Sequence, residues 1–203
     1  SIHLTMENID YPAKIKNSAL TFIRHGQTDS NLGGIWQGHV DNPLNETGEA
    51  EARLLNNLFR DYDVNVSSPY KRAHKTLSLI INNDIQTSKE LTEMNLGKWE
   101  GLTTTEILEK YQEQFIEALF LNHKSKYGID GESIYEAGAR VEKLINKFEK
   151  SKILMASHGG TIKSAVTKLI QSPESNAAAA FTIPNNLGVS CLVPKDNKYF
   201  LWS

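Results

Sequence analysis

Apolar residues along this chain fall either into short solid runs or into spaced, helix-like arrays. Ala19-Leu20-Thr21-Phe22-Ile23 and Lys152-Ile153-Leu154-Met155-Ala156 are near-continuous runs, as expected of strands covered on both faces of a parallel sheet. Asp63-Val64-Asn65-Val66 is a third short strand, and a further extended piece lies near Ile85-Gln86-Thr87. Between them the period changes. A helix is predicted from about Thr47, with Leu54, Leu55, Leu58 and Phe59 on one face. A second is predicted to open at Ser68-Pro69, with Ser68 as N-cap and Pro69 at the first helical position, burying Ala73, Leu77, Ile80 and Ile81.

Thr103 with Glu106 and Ser133 with Glu136 are capping-box patterns. They predict helices running to about Phe120 and about Lys150. Gly159-Gly160 leads into a helix carrying Ile162, Val166, Leu169 and Ile170. Val189–Val193 and Tyr199–Trp202, joined across Pro194-Lys195-Asp196-Asn197, read as a C-terminal hairpin.

Strands alternating with amphipathic helices predict an α/β fold. The expected form is a three-layer α/β/α domain with a mostly parallel central sheet. Residues 1–18 read as a polar lead-in and 19–203 as a single domain. The stretch of about 102–131 breaks the alternation and is expected to form a small helical cap.

Length and composition narrow the function. The 203 residues suit one domain. The balance of 22 Lys+Arg against 24 Asp+Glu, for a formal net charge of -2, argues against nucleic-acid or polybasic membrane binding. The single cysteine, Cys191, excludes an intrachain disulfide and a cysteine-cluster metal site. The longest soft run, Ala177–Phe181, is far short of the roughly 18 apolar residues of a membrane span. The first residues lack a basic region followed by an apolar one, so no signal peptide is expected. A cytoplasmic protein follows as the expectation.

In an open α/β sheet, ligands bind beyond the carboxyl ends of the strands. Arg24, His25 and Gly26 follow the first strand. Ser67, Ser68 and Pro69 follow the second, with Arg72 a helical turn on. Ser157, His158, Gly159 and Gly160 follow the strand at 152–156. Two guanidiniums and two imidazoles converging there make an anion site. Arg offers forked donors that match phosphate oxygens, and the helix after Gly159-Gly160 is expected to add free N–H groups.

A neutral imidazole can also attack phosphorus, after which water releases phosphate. The surrounding cations would stabilise charge on the transferring group. A leaving alkoxide needs a proton, and Glu93, in LTEMNLGKWEG, is the best-placed acid.

These segments resemble the histidine phosphatase superfamily, with its phosphoglycerate-mutase-like fold. TFIRHGQTDSN (21–31) resembles its signature. WQGHVDNPLNETGEAEA (36–52), SSPYKRAHKT (67–76), LTEMNLGKWEG (91–101), DGES (130–133), SHGG (157–160) and Asn186-Leu187-Gly188-Val189-Ser190 follow in the family's order, so that the likeness covers roughly residues 19–193. The resemblance implies that His25 is the phosphorylated nucleophile and that Arg24, Arg72 and His158 bind the phosphoryl group. Glu93 is then proton donor and later base. Asn31 and Gln37 are implied as second-tier phosphate or substrate contacts, with the backbone N–H of Gly159 assisting. Neither metal nor organic cofactor is implied.

The sequence looks most like the small phosphatases of the superfamily, including the α-ribazole and broad-specificity groups. The expected reaction is therefore hydrolysis of a small phosphomonoester. Phosphoglycerate-mutase-type transfer and an inactive phosphate-binding regulatory module are the alternatives. The expected partner is a small phosphorylated substrate, and monomer and homodimer are both open. Trp36 and Trp99 read as packing residues, and Glu132 and Ser133 as the start of a helix. His3, His39, His74 and His123 read as surface or structural, Cys191 as inert core, and the Lys-rich 122–126 as a solvated face.

Overall fold

Six strands form one sheet in the computed structural model, which describes residues 19–170, 183–195 and 198–201. They are β1 (Leu20–Arg24), β2 (Val64–Ser67), β3 (Gln86–Thr87), β4 (Ile153–Ser157), β5 (Val189–Lys195) and β6 (Lys198–Leu201), in the order β3-β2-β4-β1-β5-β6. The first four strands in that order are parallel. β5 lies antiparallel to β1, and β6 antiparallel to β5. The lead-in 1–18, the alanines at 177–180, the hairpin turn at 196–197 and Trp202 lie outside the described residues.

The apolar runs are buried on both faces because alternate residues feed two cores. Ile23 of β1 and Leu154 and Ala156 of β4 face α2 (Glu46–Leu54) and α3 (Lys71–Ile80), packing with Ala52, Leu77 and Ile80. Leu20 and Phe22, with Ile153 and Met155, face α5 (Ile134–Asn146) and α6 (Gly159–Leu169), packing with Val141, Leu144, Ile162 and Val166. The result is an α/β/α sandwich. A four-residue helix α1 (Asp29–Leu32) follows β1.

Between β3 and α5 the chain leaves the sheet. It forms α4 (Thr104–Ile116), one π-helical stretch (Glu117–Leu121) and a loop around a third apolar cluster, with Trp99, Ile107, Phe115 and Tyr127 at its heart. Both capping boxes form as the spacing predicts, Thr103 with Glu106 and Ser133 with Glu136.

Three expectations need correction. α3 starts at Lys71, not Pro69, because Tyr70 is extended (ψ 140°) and the cap comes from far away: Asp41 Oδ1 accepts from Lys71 N at 2.7 Å. α2 stops at Leu54, which is 78% exposed, and the chain turns at Asn57 (φ 65°), so Leu55 and Phe59 reach the core from a turn and not from one helical face. α5 ends at Asn146, short of Lys150, which takes φ 59°.

Candidate active site

The sheet's carboxyl edge delivers the site. Arg24 ends β1, in register with Ser157 at the end of β4, and the His25 N–H donates to the Ser157 carbonyl at 3.0 Å. This pairing brings His25 and His158 together across the parallel strands, with ring centroids 5.3 Å apart. Arg72 projects from the first turn of α3, and Glu93 follows the 3-10 turn Lys89–Leu91 beyond β3. Arg24, His25, Asn31, Gln37, Arg72, Glu93 and Gly159 all line one cleft of about 270 Å³. His158 lies behind His25, fully buried.

A hydrogen bond fixes the tautomer of His25: its Nδ1 lies 2.7 Å from the Gly26 carbonyl, which can only accept, so Nδ1 carries the proton and Nε2 keeps its lone pair. Ser68 Oγ accepts from Tyr70 N and lies 2.8 Å from His158 Nε2, a contact that a hydroxyl, as donor or as acceptor, makes with either tautomer of His158. Burial, with Arg24 and Arg72 close by, holds His25 well below the usual histidine range. Burial, then Arg72 and His25, does the same for His158. This favours the neutral form of both rings, the form in which an imidazole is nucleophilic.

The guanidiniums are fixed by main-chain carbonyls. Arg24 Nη1 donates to Pro184 O at 2.6 Å. Arg72 Nη1 donates to Val40 O, and its Nη2 donates to Gly38 O at 3.0 Å. Burial pulls both below the usual arginine range, and Glu93 partly offsets this. Their Nε–H groups are different. Arg24 Nε, Arg72 Nε and His158 Nδ1 are buried with no hydrogen-bond partner. A buried donor left unpaired costs about 1–3 kcal/mol, so the two guanidinium Nε–H groups, with the unpartnered His158 Nδ1 beside them, mark a place built for an anion.

Asn31 and Gln37 turn their carboxamide oxygens toward Thr28 Oγ1, each at 3.1 Å, which leaves their NH₂ groups to the cleft. Gly159 and Gly160 are required by close approach. A Cβ on Gly159 would stand 3.2 Å from the Arg24 guanidinium carbon, and one on Gly160 would stand 2.8 Å from Glu93 Oε1.

After the first amide of α6, that of Gly159, the next two do not stand free as the sequence suggested. Gly160 N and Thr161 N donate to the two oxygens of Glu93, at 3.3 and 3.0 Å. Glu93 is thereby held against a helix N-terminus at the cleft wall.

Several contributors escaped the sequence reading. Tyr70 stacks edge-on to His158 at 5.5 Å and lies under the Arg72 guanidinium carbon at 5.3 Å. His39, read as surface or structural, is exposed and reaches the Glu93 carbonyl with Nε2 at 3.1 Å. Asn186 Nδ2 lies 3.1 Å from both the His25 carbonyl and Asn31 Oδ1. Arg140 holds the Glu93 loop by donating to the Glu90 and Thr92 carbonyls and to Glu132. Asn186 fell within a recognised block, but no local pattern marks Tyr70 or Arg140. Trp36, read as packing, also lines the cleft. Among the described residues, no three His, Cys, Asp or Glu side chains are grouped to hold a metal ion, and no helix is long and apolar enough to cross a membrane.

An α/β/α sandwich with a cationic, histidine-bearing pocket at its carboxyl edge defines an enzyme of the phosphatase class. The chain belongs to the histidine phosphatase superfamily (branch 1), whose sequence profile matches residues 20–202. It is 31% identical to a broad-specificity phosphatase of Saccharomyces cerevisiae, over 90% of this chain and 82% of that protein. It is 32% identical to a 2,3-bisphosphoglycerate-dependent phosphoglycerate mutase of Cytophaga hutchinsonii, over 78% and 80%. In fold it is similar to a mycobacterial hydrolase, with a TM-score of 0.83 at 24% identity, covering 92% of this chain and 97% of the other.

Proposed function

We propose that the protein hydrolyses phosphomonoesters of small metabolites through a phosphohistidine on His25. The observation that carries this reading is the pair of unpartnered buried donors Arg24 Nε and Arg72 Nε beside an imidazole, His25, whose Nε2 lone pair is free; the reading takes the unpartnered His158 Nδ1 as the third donor.

In the first step His25 Nε2 attacks phosphorus and the P–O bond to the alcohol breaks. The three donors, with the NH₂ groups of Asn31 and Gln37 and the Gly159 N–H, take up the charge on the equatorial oxygens. Glu93 in its acid form protonates the leaving alkoxide. In the second step the Glu93 carboxylate takes a proton from water, whose oxygen attacks the phosphoryl group and restores His25. No step needs a metal or an organic cofactor. The 102–131 segment acts as the cap over the leaving-group end. The proposed setting is the cytoplasm, in keeping with a sequence that holds a single cysteine, the buried Cys191.

The test is turnover of p-nitrophenyl phosphate between about pH 5 and 8, bracketing the histidine range, with and without chelator, alongside 3-phosphoglycerate isomerisation. Chelator-resistant hydrolysis that His25→Ala abolishes is expected. Isomerisation faster than hydrolysis would make the protein a mutase, and a strict metal requirement would overturn the mechanism.

A further inference from the structure

The cleft has a second half, which the phosphate does not fill. Its apolar walls away from the guanidiniums are Ile35, Trp36, Leu96 and Tyr127, while Ile183 stands against Gly159 at the phosphate end. The Trp36 ring is fixed: its Nε1 donates to Thr104 Oγ1 at 2.9 Å, and it packs edge-on against Phe115 at 5.7 Å and Trp99 at 6.1 Å. Tyr127 is tilted against Trp99 at 5.4 Å and is buried, and its hydroxyl has no hydrogen-bond partner. This half of the cleft is a rigid aromatic and aliphatic wall with one unanswered hydroxyl.

Its charge is equally informative. Among the described lining residues the cations are Arg24 and Arg72; carbonyls engage Arg24 Nη1 and both terminal nitrogens of Arg72. Both guanidiniums converge with His25 on the phosphate end, where their Nε groups are buried without a partner. Among the described residues, the lining beside Trp36 and Tyr127 includes no lysine, and the Glu93 carboxylate stands in the same cleft. A substrate carboxylate placed there would lose its hydration without gaining a cation. A flat apolar group would exchange water for the aromatic wall, and the Tyr127 O–H could donate to a neutral oxygen or nitrogen on its edge.

Building on the phosphatase reading, we propose that the preferred substrates are phosphomonoesters of uncharged, flat, largely apolar alcohols. Phosphorylated hydroxy acids and amino acids are discriminated against. Ile35, Trp36 and Tyr127 form the specificity wall.

The test compares benzyl phosphate with O-phosphoserine and 3-phosphoglycerate. Benzyl phosphate and phosphoserine both lose a primary alkoxide, so a difference in kcat/KM reports recognition of the rest of the alcohol. We expect benzyl phosphate to be favoured by at least about tenfold, the scale set by apolar fit against an unpaired charge. Ile35→Lys places a cation at the exposed rim of this wall and should shrink that ratio by about tenfold by giving the carboxylate a partner.

If the wild type hydrolyses p-nitrophenyl phosphate but turns over phosphoserine or 3-phosphoglycerate as well as benzyl phosphate, the specificity wall is wrong and the phosphatase reading stands. If the wild type hydrolyses none of them, both fall. An unchanged ratio in folded Ile35→Lys would also overturn the placement of the alcohol against this wall.

Discussion

Replacing Arg72 by lysine keeps a cation and removes the fork. Arg72 is 1% exposed and does three things at once: one terminal nitrogen holds the Val40 carbonyl, the other holds the Gly38 carbonyl, and Nε faces the phosphate position. A lysine ammonium is a single point at the end of a flexible stem and cannot reach all three. If it holds the carbonyls, the transferring group loses a preorganised donor, which costs about 10²- to 10³-fold in rate, or about 2.7–4 kcal/mol of barrier. If it turns to the phosphate, the buried Gly38 carbonyl loses its donor at a cost of about 1–3 kcal/mol. The latter corresponds to a fall in Tm of roughly 2–12 °C for a chain of this size. Steady-state hydrolysis of p-nitrophenyl phosphate and a thermal melt of Arg72→Lys read both quantities. We expect kcat/KM down by at least about a hundredfold in a protein that still melts cooperatively. A folded Arg72→Lys enzyme within about tenfold of wild type would refute the claim that the guanidinium geometry, and not merely its charge, builds this site.

Glu93→Gln keeps the shape and one oxygen, enough to accept from Thr161 N but not also from Gly160 N, and it cannot give a proton to an alkoxide. Its kcat/KM should fall by about 10²- to 10⁴-fold on benzyl phosphate and far less on p-nitrophenyl phosphate, whose leaving group needs no acid; equal losses on both would remove Glu93 from the acid role. The two buried imidazoles also set a stability profile. Both are held well below the usual histidine range when folded, so below about pH 6.5 the unfolded chain takes up protons that the native state refuses. Stability of the free protein should therefore be full above that pH and fall as pH drops through it, at up to about 2.7 kcal/mol per unit for two protons. Chemical denaturation between about pH 7 and 5 checks this, and a flat curve that His25→Asn with His158→Asn leaves unchanged would contradict it.

The parts of the site that sit on strand ends were visible in the chain. Solid apolar runs at 19–23 and 152–156 locate β1 and β4, and whatever follows a strand in an open sheet lies at the ligand edge, so Arg24, His25 and His158 could be placed without coordinates. What the sequence hid depends on contacts between distant segments. Lys71 is capped by Asp41 from another loop, so the Ser68-Pro69 signal misplaced the helix start, and Ser68 instead hydrogen-bonds His158. The amides of α6 looked available for phosphate because nothing local shows that Glu93 folds back onto them. Tyr127 comes from a loop with no periodicity and enters the cleft only because Trp99 and Phe115 build a core under it.

The central claim is covalent: the phosphoryl group rests on His25 Nε2. Rapid mixing with radiolabelled substrate, denaturing quench at alkaline pH, and peptide mapping measure it directly. The account predicts acid-labile, base-stable label on the peptide carrying His25, formed and lost at rates compatible with turnover, and no label in His25→Ala. Full turnover with no label on His25, or an active His25→Ala enzyme, would contradict it.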